Sequence, residues 1–186
     1  MAIRSFIAID VRDPDVIAKI LNIQEELISS NAKLKPVERE NLHLTLKFLG
    51  NVEENRLDII RRIMDDVLRG FQPFEMELIS VGAFPTVSRP NVVWIGAGEG
   101  RDSFIRIAAE LDRALSRLGF PREKREVEPH LTIARVKGSI GNLPEVIRRL
   151  SDARVGYITV EEVKLKKSTL TPEGPIYGDL HTVSLG

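Results

Sequence analysis

In a chain of 186 residues, 27 Lys plus Arg are matched by 27 Asp plus Glu, giving no net charge. That argues against a protein coating long stretches of nucleic acid, which needs a broad basic surface, but leaves room for a small basic cleft reading one phosphate or strand end. The absence of cysteine excludes disulfides and thiolate metal sites; with no signal-peptide layout and no apolar run near the roughly 18–20 residues that span a bilayer, a globular cytoplasmic protein without membrane association is expected.

Residues 2–10 (AIRSFIAID) read as a buried strand. Asp13-Pro14 looks like an N-cap followed by proline at the first helical position, and apolar residues from Val16 to Ile28 recur at helical spacing, so a helix to about Ser30 is expected. A polar connection carrying Lys33, Lys35 and Arg39 leads to the strand NLHLTLKFLG at 41–50. Residues 53–69 form a second amphipathic helix stopped by Gly70, 74–81 a strand, 82–90 a loop rich in proline, and 91–96 a short strand. A third helix is expected over 101–118, then a charged loop and the strand PHLTI at 129–133. A short helix over 144–150, a long strand over 155–170, a turn at Gly174-Pro175 and a last strand over 176–185 complete the chain. Helices interleaved with strands predict an α+β fold. The shared cadence of residues 1–70 and 90–150 (strand, helix, His-Thr strand) suggests an internal duplication within one bilobed domain, and no linker divides residues 1–186.

Two strands carry the chemistry. His43-Leu44-Thr45-Leu46 is answered 87 positions later by His130-Leu131-Thr132-Ile133, and these are two of only three histidines. Side chains alternate along a strand, so in each copy His and Thr share one face while the aliphatic residues enter a core. Two imidazoles at neutral pH can hold one proton between them; one accepts a proton from a nucleophile while the other gives one to a leaving oxygen. Hydroxyls from Thr45 and Thr132 can donate to non-bridging phosphate oxygens. Lys47 continues the His43–Thr45 face by the period of two and is a candidate phosphate contact, or a solvated strand end. His181 lacks the spacing and reads as structural or surface. No carboxylate stands at a ligating offset from either histidine and there is no P-loop, so neither metal nor nucleotide cofactor is expected.

The paired HLTL and HLTI motifs resemble the signature of the two-histidine (2H) phosphoesterases, in particular the RNA 2′,3′-cyclic phosphodiesterases or 2′-5′ RNA ligases of the LigT/ThpR type. The likeness extends over RSFIAID (4–10), GAFP (82–85), Trp94, Ala134-Arg135, Ser168-Thr169-Leu170 and GPIY (174–177). The resemblance implies duplicated α+β halves around a central cleft. It also implies hydrolysis of a terminal cyclic phosphate to a 2′-phosphomonoester, reversible as ATP-independent 2′-5′ joining. By the same resemblance His43 is the general acid and His130 the general base, Thr45, Thr132 and Arg135 bind phosphate, and the partner is an RNA end, tRNA fragments included, met by a monomer. Strict alternation from His130 puts Arg135 on the opposite face, so a bulge or a strand end must turn it inward. Phe6 is a candidate to stack a terminal base, or else a core residue. Two other readings compete: a module that holds an RNA terminus without turnover, and a phosphodiesterase acting on a small cyclic nucleotide or an ADP-ribose cyclic phosphate.

Overall fold

The apolar runs and helical periodicities assemble, in a computed structural model of residues 1–186, into nine strands and four α-helices. Strand β1 (Ala2–Asp10) leads to helix α1 (Pro14–Ile28), whose start is held by the Asp13 carboxylate accepting from the amides of Asp15 and Val16. This satisfies two of the N–H groups that a helix leaves unpaired at its first turn. A three-residue strand β2 (Leu34–Pro36) occupies the polar connection, followed by β3 (His43–Glu53) and α2 (Leu57–Leu68). Then come β4 (Phe74–Pro85), β5 (Pro90–Ala97), α3 (Arg101–Ser116), β6 (His130–Val136), α4 (Leu143–Arg149), β7 (Arg154–Val160), β8 (Glu162–Thr171) and β9 (Gly174–Ser184).

The strands form one curled antiparallel sheet in the order β7-β4-β5-β6-β3-β1-β8-β9, with β2 added to β6. The strands of the two His-Thr copies, β3 and β6, lie side by side at its middle, where Leu44 opposes Leu131. Around this seam the α+β halves repeat: β1-α1-β3 on one side, β5-α3-β6 on the other. The helices cross between them. Helix α1 packs on β6 and β7 of the second half, and α3 packs on β3 of the first. A continuous core of 42 buried residues runs through both.

Several boundaries differ from the sequence reading: β3 runs past Gly50 to Glu53, so α2 starts at Leu57 rather than at 53, and two further differences change how the strands pair. The loop expected at 82–90 shrinks to Thr86–Arg89, because β4 runs through Gly82 to Pro85. Gly82 is a close-approach glycine rather than a breaker: a Cβ there would sit 2.3 Å from the Trp94 ring on the paired strand. The long strand expected at 155–170 divides at Glu161, with β7 pairing β4 at one edge and β8 pairing β1 in the other half. A run of alternating residues carries no mark of the point where its neighbour changes.

Each His-Thr strand carries a β-bulge at the same place. In β3, Ala8 pairs Thr45 but Ile7 pairs Lys47, so Leu46 is the extra residue; in β6, Trp94 pairs Thr132 but Val93 pairs Ala134, so Ile133 is extra. Both residues of each pair, Leu46-Lys47 and Ile133-Ala134, are buried on the helix side, and the next ones, Phe48 and Arg135, turn to the opposite face. The second bulge is held from below. The buried Gln24 side chain of α1 donates to the Val37 and Ile133 carbonyls at 2.9 and 2.8 Å. Of the two devices that could turn Arg135 inward, the bulge is the one present.

The first bulge corrects the reading of Lys47. Its side chain is 3% exposed on the helix side, where Nζ donates to Asp112 Oδ1 at 2.8 Å, the Pro121 carbonyl at 2.8 Å and Glu123 Oε1 at 3.1 Å. Strict alternation would have carried it to the His43 face, and the extra residue reverses it. Asp112 sits below the usual carboxylate range: burial pushes it up, but the bonds from Lys47 and Arg122 outweigh this. Asp112→Ala leaves the buried Lys47 ammonium with only the half-exposed Glu123 carboxylate and the Pro121 carbonyl, so it is expected to lose about 2–3 kcal/mol in denaturant unfolding, below the roughly 3–5 kcal/mol of a buried charge left without any partner. A loss below about 1 kcal/mol would show that the Lys47–Asp112 pair contributes no more than a surface ion pair.

Candidate active site

The face opposite the helices is concave, and its centre is a cleft of about 370 Å³ lined by both His-Thr pairs, Arg135, Arg4, Phe6, Phe48 and Tyr177. The seam sets the arrangement. Because Leu44 opposes Leu131 on antiparallel strands, His43 stands across from Thr132, and Thr45 across from His130. The imidazoles lie on the diagonal of this square, about 7–8 Å apart at Cα for regular strands, with a hydroxyl on each remaining corner. A phosphate at the centre of this square would have a ring and a hydroxyl from each strand around it.

Each ring is oriented in the same way. His43 Nδ1 donates to the Asn41 carbonyl at 2.8 Å and His130 Nδ1 to the Glu128 carbonyl at 2.9 Å, both two residues back. A carbonyl can only accept, so the proton of each neutral ring is on Nδ1, leaving Nε2 to exchange a proton with anything in the cleft.

The two surroundings differ. His43 packs against Phe6 at 5.0 Å and the edge of Tyr177 at 5.2 Å, whereas His130 meets the ring of Phe84 at 5.1 Å. Burial lowers the His43 pKa from its ordinary value of 6.5, and the positive charges of Lys166 and Arg135 act in the same direction; the bond to Asn41 and the charge of Asp10, paired with His43 in register, oppose them. Asp10 belongs to a buried ionic cluster. Lys166 Nζ meets Asp10 at 2.8 Å and Asp179 at 3.0 Å, and Lys164 meets Asp179 at 2.7 Å and Asp10 at 3.3 Å.

Of the residues singled out from sequence, His43, His130, Thr45, Thr132 and Arg135 come together in the cleft, and Lys47 does not. Phe6 lines the cleft but is only 4% exposed. A ring so covered has no free face for a base, and its contacts are with His43 and Tyr177. Sequence reasoning assigned no role to Tyr177, Arg4 and Phe48. Tyr177 and Arg4 stood within the family motifs, but what brings Tyr177 over His43 is the β8–β9 hairpin, which no periodicity reveals. Arg4 lies over the Phe48 ring at 4.8 Å. His181 binds Asp65 through Nε2 at 2.8 Å, a structural contact between β9 and α2. No three His, Asp or Glu side chains are grouped so as to hold a metal ion.

The LigT-like phosphoesterase family model matches residues 9–94 and again 95–177, one copy for each His-Thr strand. The chain belongs to this family. Among relatives of this LigT-like chain, a protein of Methanothermobacter thermautotrophicus is 42% identical over all of both chains, and one of Archaeoglobus fulgidus is 42% identical over 95% of this chain and 97% of its own; both are named RNA 2′,3′-cyclic phosphodiesterase. The solved structure of TT0787 from Thermus thermophilus superposes with a TM-score of 0.84 at 29% identity, covering 98% of this chain and 97% of that one. At 24% identity, E. coli LigT complexed with 3′-AMP shares the fold, with a TM-score of 0.81 over 100% of this chain and 99% of that one.

Because the native His43 pKa is lowered, the unfolded chain binds this proton more tightly than the folded one. Its contribution to stability is therefore lost as pH falls through 6.5 toward the lower native value. NMR titration of the free protein is expected to place the His43 midpoint below 6.5 and to move it upward when inorganic phosphate is added. A midpoint at or above 6.5 in the free protein would contradict the burial of this ring.

Proposed function

We propose that residues 1–186 work as one unit, a monomeric, metal-independent RNA 2′,3′-cyclic phosphodiesterase. The observation that carries this reading is the diagonal placement of two imidazoles, each tied by Nδ1 to its own strand and each beside a threonine hydroxyl, in one cleft. The names of the relatives from Methanothermobacter and Archaeoglobus agree with it.

In the proposed step, His130 Nε2 takes a proton from water as the water oxygen bonds to phosphorus. The P–O3′ bond breaks on the far side and His43 gives its proton to O3′, leaving the phosphate on the 2′ oxygen. Thr45, Thr132 and the Arg135 guanidinium hold the non-bridging oxygens, where charge must be stabilised. Burial keeps His43 neutral in the empty cleft; the anionic phosphodiester, helped by Asp10, favours its protonated form on binding. By microscopic reversibility the same groups support 2′-5′ joining without ATP. RNA ends carrying a cyclic phosphate, tRNA fragments among them, are the proposed substrates. The cleft volume of about 370 Å³ suits a mononucleotide as well, which supports a second reading, action on a small cyclic nucleotide.

An oligoribonucleotide with a 2′,3′-cyclic phosphate is expected to yield the 2′-phosphate, with or without chelator. His43→Ala and His130→Ala should each lower kcat by about 10²–10⁴-fold. Sulfur in place of O3′ needs little protonation to leave, so it should rescue His43→Ala and not His130→Ala. A 3′-phosphate product would exchange the histidine roles, and recovery of intact substrate after long incubation would favour a module that only binds RNA termini.

A further inference from the structure

The lysines that the fold buries are all neutralised. Lys47 pairs with Asp112 and Glu123, and Lys164 and Lys166 with Asp10 and Asp179. The four cations lining the cleft, Arg4, Lys35, Arg135 and Lys137, have no carboxylate within ion-pair distance. Only two carboxylates, Glu38 and Glu173, line it, so a chain of zero net charge concentrates positive charge here.

Three of these cations are grouped at one end. Past its bulge, β6 leads from Arg135 to Lys137 on the same face, about 7 Å along the backbone, and β2 sets Lys35 opposite Arg135, about 5 Å away across the ladder. The ends of this group are fastened. The Lys35 ammonium donates one of its three protons to the Glu173 carbonyl of the β8–β9 turn, and the Lys137 amide donates to the Lys33 carbonyl at 2.7 Å. Under the proposed function Arg135 is used at the scissile phosphate. Lys35 and Lys137 then lie about 5–7 Å from it by backbone spacing, comparable with the step between successive phosphates of a strand, and neither has a carboxylate within ion-pair distance.

We propose that Lys35 and Lys137 form a second phosphate subsite, which binds the phosphodiester on the 5′ side of the terminal nucleotide. This rests on the cyclic-phosphodiesterase reading and narrows its substrate to an RNA strand end in preference to a free mononucleotide. Binding to two phosphates also sets the salt dependence: one more contact adds about 0.7 to the slope of log Kd against log salt for a single strand.

The test measures Kd for adenosine 2′-monophosphate and for the dinucleotide ApA carrying the same terminal 2′-phosphate, on the wild type, Lys35→Gln, Lys137→Gln, the double variant and the charge-keeping Lys35→Arg/Lys137→Arg. Both lysines are exposed, so these variants are expected to fold. The wild type should bind the dinucleotide more tightly than the mononucleotide, and the double Gln variant should lose about tenfold for the dinucleotide and under about twofold for the mononucleotide, with a dinucleotide salt slope smaller by about 0.7. The Arg variant should retain most of the dinucleotide affinity. Equal losses on both ligands would assign the lysines to the terminal phosphate, and no loss on either would make them solvated surface; each result overturns the subsite. Turnover of the two corresponding cyclic phosphates by the wild type is scored separately. Lysine-dependent dinucleotide binding without any turnover would remove the enzymatic reading and leave the subsite standing.

Discussion

One backbone pairing governs the molecule: Leu44 against Leu131, where the central strands of the two halves meet. It is the one ladder pair between strands otherwise occupied with their own partners, β1 for β3 and β5 and β2 for β6. Because the pairing is antiparallel and centred on the leucine between His and Thr, it converts two His-Leu-Thr segments into a square with unlike groups adjacent and like groups diagonal. A one-residue slip of either strand would send its own His and Thr into the core. Two fully buried leucines, neither of them reactive, therefore decide the spatial relation of the imidazoles.

The bulges make the second decision. An extra residue after each Thr reverses the face of everything that follows, so Lys47 goes below and Phe48 and Arg135 come above. Desolvating an ammonium is costly unless it is paired and hydrogen-bonded, and every buried lysine of the fold has that compensation. Cations on the concave side are spared the cost by exposure and remain open to an anion. The fold thus sorts basic residues into two electrostatic classes, and sequence identity alone does not distinguish the classes.

The two halves repeat in backbone more closely than in environment. His43 lies between Phe6 and Tyr177 beside an Asp10–Lys166 pair, while His130 meets Phe84 nearer the surface. Duplication accounts for the shared Nδ1 tether of each ring. Divergence of the surrounding strands accounts for the difference, and that difference is what allows acid and base roles to separate in the proposed reaction.

Much of this protein was legible in its sequence, for local reasons. Helix starts such as Asp13-Pro14, the strand at 2–10 and the inward faces of both His-Thr strands follow from periods of about 3.6 and 2.0 and from capping chemistry, which act over a few residues. The meeting of His43, Thr45, His130 and Thr132 could be anticipated because the motif is repeated, and repetition survives in one dimension. Tertiary structure alone decided the rest. The division of 155–170 between opposite sides of the sheet, the placing of Tyr177 over His43, the burial of Lys47 and the grouping of Lys35 with Arg135 and Lys137 each depend on which strand lies next to which, or on one inserted residue. Alternation records a side chain's face only while the count is unbroken, and it does not record a strand's neighbour.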